Sequence, residues 1–493
     1  MLAKTVSRPR SLRFVAVHWL AASVITAAAL AIFLNGSFFS AYSAPHVDFS
    51  INFAASHALR HGENPYGATT LYSRAKSLDS PTQLIYGQLF TSYIQPPTSA
   101  LSLLPLTVLP WRDASRVYLA INHLLLLAGV GLSLYTLRPR LSLPWLIAGA
   151  SVIVAFYSQI YASFSLGQVD AGLLLLFSIA FWAYCRDKQA ITGSAIAIAA
   201  AIKLVPALLL LYFLWKRQYR AVAWGAAVGL ALFLLSFAFV GPRIYETYFT
   251  DTLPALAKGS THYSNASIGA AIARSQTPEV IRGLPYVYYL DEVPSGNSAR
   301  AASAGVLIAG LVALAVIIPR RLHARRVQSA EYRVQSAGPA ARDPAATEPV
   351  PLVERRPETL LLEFYLVVAV TLIVSSVTWE FYVIWLLPAF LAAFLAPAKL
   401  LPPGAWRWLA LFLLGLAFVA LNYPGDFYLF GRNDSFYHPE WVPGVWVEGR
   451  VQLYHKHSDA ILYLRLPALL LVAGILSALT LWRRRQIAPS HAP

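Results

Sequence analysis

The sequence predicts an all-α polytopic membrane protein, and three observations carry that reading. The chain has 493 residues, 57% of them hydrophobic and only 13% charged, about half the charged share of a soluble domain. Its mean hydropathy is +0.55. Apolar stretches of spanning length recur along it, and basic residues punctuate the gaps between them.

Those stretches lie near 12–34, 115–137, 143–162, 168–184, 220–241, 301–319, 360–378, 380–397, 405–423 and 459–482. Two shorter apolar pieces, 190–202 and 204–215, flank Lys203. Together they suggest a bundle of about 12 helices. The basic breaks are Arg138/Arg140, Arg186/Lys188, Lys216/Arg217/Arg220, Arg320/Arg321/Arg325/Arg326, Lys399/Arg407 and Arg483/Arg484/Arg485. They share one side of the membrane on two conditions. The run from Pro96 to Pro110 must enter the outer leaflet without crossing, and the pieces around Lys203 must meet near the outer surface. Both termini are then cytoplasmic, and regions 35–113, 163–167, 242–300 and 424–458 face outside. A crossing at 96–110 would instead put Arg138 and Arg186 outside.

The run 12–34 is longer than the 7–15 residues of a cleaved signal core, which favours an uncleaved anchor. The small residues from Ser40 to Ala44 leave cleavage open. The net charge of +16 comes from 39 basic and 23 acidic residues. Cytoplasmic loops account for it more simply than nucleic-acid binding does. The 13 Trp and 26 Tyr suit aromatic belts. A single cysteine, Cys185, excludes an internal disulfide and a Cys-based metal site. Segment 320–359 is basic, rich in Ala, Arg, Pro and Glu, and repeats Arg-Val-Gln-Ser-Ala at 326–330 and 333–337. It reads as a disordered cytoplasmic linker within a single multi-pass domain, 1–493. No inverted repeat of the transporter kind is visible.

On this topology the unusual polar residues collect outside. Asp48 follows the first crossing. Gln168 and Asp170 open the fourth. Lys203 sits at the break between two short helices. Asn265 and Arg274 lie in one external loop, and Glu380 and Tyr382 join two crossings. Ionisable groups at a membrane are costly and mark function. Each also has a plainer use: Asp48, Gln168 and Asp170 as helix caps, Lys203 as a snorkelling side chain, Glu380 as a wet turn. His57 and His61 share a helical spacing, which is weak evidence for metal. Asn35, Asn265 and Asn433 each start an Asn-X-Ser pattern.

A set of motifs resembles glycosyltransferase family 87. They are Asp48-Phe49, Ala54-Ala55, Gly62-Glu-Asn-Pro-Tyr66, Pro96-Pro97, Leu104-Pro-Leu106, Leu109-Pro110, Gly167-Gln168, the stretch from Gly193 to Pro206 around Ile202-Lys203-Leu204, and Trp385-Leu-Leu-Pro388. Their order runs from about 45 to 390. The resemblance implies a GT-C-like bundle whose external loops carry short helices. It also implies transfer of a sugar, most often mannose, from a polyprenyl phosphate to an envelope acceptor, with Asp48 as catalytic base. Three positions depart from the family pattern: Gln95 before Pro96-Pro97, Gly67 after Asn-Pro-Tyr, and Glu380-Phe-Tyr382 where relatives often carry a His pair.

The residues allow the same chemistry without the resemblance. A lipid-linked sugar must react at the membrane surface. Inverting transfer needs a base opposite the leaving group and positive or dipolar groups at the phosphate. Asp48 can be the base. Lys203 beside the helix starting near Leu204 can meet the phosphate. Further contacts with donor or acceptor are expected from Gln168, Asn64, Tyr66, Asn265, Arg274, Glu380 and Tyr382. No metal or cofactor is expected. The expected partners are a polyprenyl-phosphate sugar, a lipid or glycan acceptor and membrane lipids. Two other classes stay open: a transporter or flippase of lipid-linked sugars, which would hold charge at the bilayer midplane, and an inert membrane scaffold.

Overall fold

The computed structural model describes residues 12–42, 44, 46–78, 93–257, 265–276, 296–319, 357–422 and 448–487. Among the described residues the regular elements are helical, and one isolated bridge, Asn265 with Trp379, is the only strand-like pairing. Of the expected linker 320–359, residues 320–356 lie outside the described residues and 357–359 are helical, and most of the last external loop, 423–447, also lies outside the described residues.

Helix α1 (Leu12–Leu34) runs into a π-helical turn, Asn35–Ser40. Helices α2 (Val47–Arg60) and α3 (Ala68–Ser77) follow. Then come α4 (Pro97–Ser102) and a 3-10 turn, Leu104–Val108. Proline explains why this run stays broken. Pro97 opens α4, Pro105 lies in the turn, and Pro110 precedes the next helix, and each disfavours helical geometry in the residue before it. Six residues rise only about 9 Å, well short of a hydrocarbon core of about 30 Å.

Helix α5 (Trp111–Leu137) is a full-length crossing. The expected span 143–162 is instead two helices, α6 (Leu143–Ala155) and α7 (Ser158–Leu166), bent by 60°. Neither glycine nor proline sits at that bend. Asn422 intrudes there: its Oδ1 accepts from the Ser158 backbone N–H at 2.7 Å, and Gln159 Nε2 donates to the Leu421 carbonyl at 2.6 Å. A side chain inserted into the backbone ladder is a sufficient cause of a kink.

Next come α8 (Asp170–Cys185), α9 (Gln189–Ile202), α10 (Leu208–Trp215) and α11 (Tyr219–Val240). Lys203 is extended at φ −136° and ψ 129°, which ends α9. The two pieces around it form a hairpin. Gly193 before the break and Leu210 after it both lie against Gly225 of α11: a Cβ there would sit 3.3 Å from the Gly193 carbonyl oxygen and 2.8 Å from a Leu210 methyl. Gly193 is tighter still, with its Cβ position 1.9 Å from the Ala221 carbonyl oxygen. Only glycine lets α9 and α11 approach so closely.

The remaining helices are α12 (Pro242–Thr247), α13 (Leu253–Ala257), α14 (Ile268–Gln276), α15 (Gly296–Ile317), α16 (Pro357–Val374), α17 (Leu387–Leu395), α18 (Pro397–Leu400), α19 (Ala405–Leu421) and α20 (Glu448–Ile487). A 3-10 turn, Glu380–Leu386, leads into α17. The last helix begins at Glu448, so the stretch 448–458 expected in a loop is helical. Helices α8 and α16 and the turn before α17 are mostly apolar and buried, with Phe177, Phe181, Phe364 and Trp385 in one core, as central helices require, and their buried carboxylates Asp170, Glu363 and Glu380 are ion-paired.

Among the described residues five helices are long and apolar enough to cross a membrane, or six with the bent pair, and six further apolar helices have 10–17 residues. The protein is therefore an integral membrane protein. Several of the roughly twelve expected helices are short, bent or broken among the described residues.

Among the described residues several of the basic breaks are linked by contacts. Lys399 Nζ donates to the Leu137 and Arg138 carbonyls at 3.0 and 2.7 Å, and Arg483 donates to the Lys399 carbonyl. Arg138 and Arg186 both lie over the Tyr135 ring, at 5.7 and 5.2 Å. Lys216 pairs with Glu363 at 2.8 Å and donates to the Pro319 carbonyl at 3.0 Å. The candidate site residues gather elsewhere.

Candidate active site

The site is assembled from the first turn of α2, the α7–α8 corner, the break in the α9–α10 hairpin and the turn Glu380–Leu386. At the corner, Gly167 is left-handed with φ +70°. Its N–H bonds to the Phe164 carbonyl, and that of Gln168 to the Ser163 carbonyl at 2.8 Å, the double closure that glycine permits at a helix C-terminus. A side chain there is also excluded by packing, since a Cβ would meet the Phe49 Cβ at 2.5 Å. Glycine thus lets α2 rest directly on the corner, one residue from both Asp48 and Gln168. His46, buried just before α2, is also left-handed, at φ 42°.

Gln168 Nε2 donates to Asp48 Oδ2 at 2.6 Å, and its Oε1 accepts from Lys203 Nζ at 3.0 Å. Lys203 also donates to Asp170 Oδ1 and Oδ2 at 3.2 and 3.0 Å. Asp170 Oδ1 accepts a third hydrogen bond, from Trp385 Nε1, at 3.0 Å. The ammonium lies 4.1 Å from the Tyr382 ring centroid and 5.1 Å from that of Phe381. Side-chain exposure is 3% for Lys203 and 0% for Asp170. A buried lysine is tolerated because its donors face acceptors and its remaining surface faces aromatic rings.

Asp48 differs from the other carboxylates. Asp170 has Lys203, and Glu380 has Arg465. Among the described residues no cation lies within ion-pair distance of Asp48, whose side-chain partner is the neutral amide of Gln168. Burial pushes its carboxyl up from 3.8 to about 6. The Gln168 hydrogen bond and the Lys203 charge pull the other way, and Asp170 adds repulsion.

The structure sorts the sequence candidates. Asp48, Gln168, Lys203 and Tyr382 meet. Glu380 is two residues away along the same turn and is taken by Arg465. Lys203 is enclosed rather than presented, because its charge is held by Asp170. Neither Gln168 nor Asp170 caps a helix; α8 starts without a side-chain cap. Asn64 and Tyr66 belong to another cluster. Asn64 Nδ2 donates to Thr247 and its Oδ1 accepts from the Tyr66 N–H, while the Tyr66 hydroxyl donates to the Gln95 carbonyl. They hold the first loop to residues 93–95 and to α12. Asn265 is 0% exposed and fully occupied. Its Oδ1 accepts from the Thr378 and Ser267 N–H groups, and its Nδ2 donates to the Ser376 carbonyl. That burial also removes it as a glycan acceptor. Arg274 lies on α14, and its side chain is outside the described residues. No three His, Cys, Asp or Glu side chains among the described residues come together as metal ligands.

Sequence reasoning gave no role to Trp385 or Arg465, and it set Asp170 among the outer-face polar residues, with capping as its plainer use, without naming a partner for it. Asp170 had a visible signal, lying two residues past Gln168. Arg465 had one too, a lone arginine inside the apolar run 459–482.

Residues 93–338 match the family described as glycosyltransferase family 87. The chain belongs to this family. The family 87 match holds Gln168, Asp170, Lys203, Asn265 and Arg274, whereas Asp48, Glu380 and Tyr382 lie beyond it. Two curated relatives are each named a polyprenol-phosphate-mannose-dependent alpha-(1-2)-phosphatidylinositol pentamannoside mannosyltransferase. That of Mycobacterium tuberculosis is 25% identical over 39% of this chain and 46% of its own. That of Mycolicibacterium smegmatis is 30% identical over 33% of this chain and 38% of its own. The family 87 chain thus spans less than half the length of either relative. A solved structure, ArnT from Cupriavidus metallidurans bound to undecaprenyl phosphate, aligns over 98% of this chain and 82% of that one, with 14% identity and a TM-score of 0.37.

Proposed function

We propose that this protein is a membrane glycosyltransferase of the inverting, GT-C type. It takes a hexose, mannose in the first instance, from a polyprenyl phosphate and passes it to a glycolipid or glycan acceptor on the outer face of the membrane. The family membership and the mannosyltransferase names of its relatives support the reaction class and the lipid-linked donor.

One observation carries the mechanism. Asp48 is a carboxylate with no cation at ion-pair distance among the described residues, held by an amide that is itself held by a buried ion pair. A carboxyl raised to about 6 is ionised at neutral pH yet basic enough to accept a proton. In the step, the acceptor hydroxyl oxygen attacks the anomeric carbon of the donor sugar. The bond from that carbon to the phosphate oxygen breaks, and the phosphate leaves with the electron pair. The hydroxyl proton passes to Asp48. Gln168 fixes the carboxylate, and Lys203 fixes Gln168. The Lys203–Asp170 pair serves as a frame rather than as the phosphate contact.

The test is purified protein with radiolabelled polyprenyl-phosphate mannose and extracted membrane lipids. Label should move into the lipid acceptor with release of polyprenyl phosphate. No movement with mannose, but movement with another sugar, would correct the donor. No movement with any polyprenyl-phosphate hexose would overturn the reading.

A further inference from the structure

Arg465 lies between Leu464 and Leu466, inside helix α20 and its apolar run 459–482. An arginine there ordinarily reaches for water. This one turns inward and pairs with Glu380, with side-chain exposures of 4% and 8%. A buried ion pair is weak evidence for stability, since apolar residues of the same volume do as well. What it does supply is a fixed contact between α20 and the turn Glu380–Leu386.

That turn is built to transmit the contact. In a 3-10 helix, side chains three apart lie one above the other. Tyr382 and Trp385 are three apart, and their rings stack at 4.8 Å and 11°. Tyr382 faces the Lys203 ammonium, and Trp385 holds Asp170. The other side of the turn is tied down by Asn265 and by the hydrogen bond from the Ala266 N–H to the Thr378 carbonyl, 2.7 Å.

We propose that Arg465 is a positioning residue of the Asp48 site. Its pair with Glu380 sets the turn so that Tyr382 and Trp385 keep Lys203, Asp170 and Gln168 in register with Asp48. The claim rests on the reading of Asp48 as the base.

The experiment compares full-length parent protein with Arg465→Gln, Glu380→Gln and the double variant, using radiolabelled polyprenyl-phosphate mannose over a range of concentrations. Either single change strands a buried charge and should lower kcat about tenfold to a hundredfold, with donor KM within about threefold of the parent. The double variant carries two neutral amides and should recover most of the lost kcat. A parental kcat in Arg465→Gln overturns the proposal. So does a large rise in KM at unchanged kcat, which would make Arg465 a donor contact. So does a loss that only follows the fraction of folded protein and is not recovered in the double variant.

If the parent transfers nothing, the functional reading fails, and unfolding decides the positioning claim alone. The Tm losses of Arg465→Gln and Trp385→Phe are then compared with that of the variant carrying both. A combined loss clearly smaller than the sum supports transmission through the turn, and simple addition refutes it.

Discussion

Gln168 Nε2 lies 2.6 Å from Asp48 Oδ2, joining two residues 120 positions apart. The other end of the same amide accepts from Lys203. An amide fixed at its oxygen cannot flip, so its nitrogen must face the carboxylate. The pair therefore gives Asp48 a defined orientation without supplying a cation that would suppress its basicity.

Asp48→Asn keeps the shape and the partner position but removes the proton acceptor. Transfer from polyprenyl-phosphate mannose should fall by about a hundredfold or more, with parental yield and elution on size exclusion. Transfer at the parent rate would remove Asp48 from the mechanism.

The pH dependence has a definite sign. The active form of Asp48 is the carboxylate, so the rate should rise with pH through about 6 and level off above it. The Gln168 hydrogen bond lowers this carboxyl, so Gln168→Leu should move the acidic limb to higher pH. Stability runs oppositely. A carboxyl raised above its ordinary 3.8 stabilises the fold in its protonated form, and that contribution is lost as pH rises through about 6. Asp48→Asn should therefore raise the Tm relative to the parent at pH 7–8 while abolishing transfer. A pH–rate profile and thermal melts of the two variants check all three signs.

Lys203→Gln leaves Asp170 buried without its cation. Breaking a buried pair in this way costs about 3–5 kcal/mol, so thermal melting in detergent should show a large loss of Tm. Lys203→Gln with Asp170→Asn should be milder, since no charge is stranded. Equal losses would mean that the ion pair is not what the fold depends on.

Gly167→Ala places an alanine at φ +70°, costing about 1–2 kcal/mol, and drives its Cβ into Phe49. The start of α2 must then shift, carrying Asp48 away from Gln168. Transfer should drop about tenfold or more, with a smaller effect on yield. Parental kcat in this variant would show that the corner does not position the base.

Orientation is testable with single cysteines in a Cys185→Ala background. A cysteine at exposed His61, at the other end of α2 from Asp48, should react with an impermeant thiol reagent in intact cells. A cysteine at Ser336 should resist it, because its arginine-rich surroundings belong inside. Labelling in the opposite pattern would place the site on the cytoplasmic face.

Some of this was fixed by sequence alone. Hydropathy and charge are local properties, so the membrane class and the approximate helix positions are legible without a fold. So is the break at Lys203, because two flanking pieces too short to span need an interruption between them. The broken run at 96–110 is legible too, since proline acts on its own neighbours. The bend between α6 and α7 is not, because Asn422 causes it from a helix far along the chain. Nor is the difference between Asn265, which spends its amide on the backbone at 376–378, and Gln168, which spends its own on Asp48. Lys203 shows the limit most clearly. Its sequence neighbours suit a phosphate contact, yet Asp170 takes its charge and Tyr382 its open face. Ion pairing depends on which helices become neighbours. The spacings 48–168, 170–385 and 380–465 have no local period to reveal them, so packing alone decided those partners.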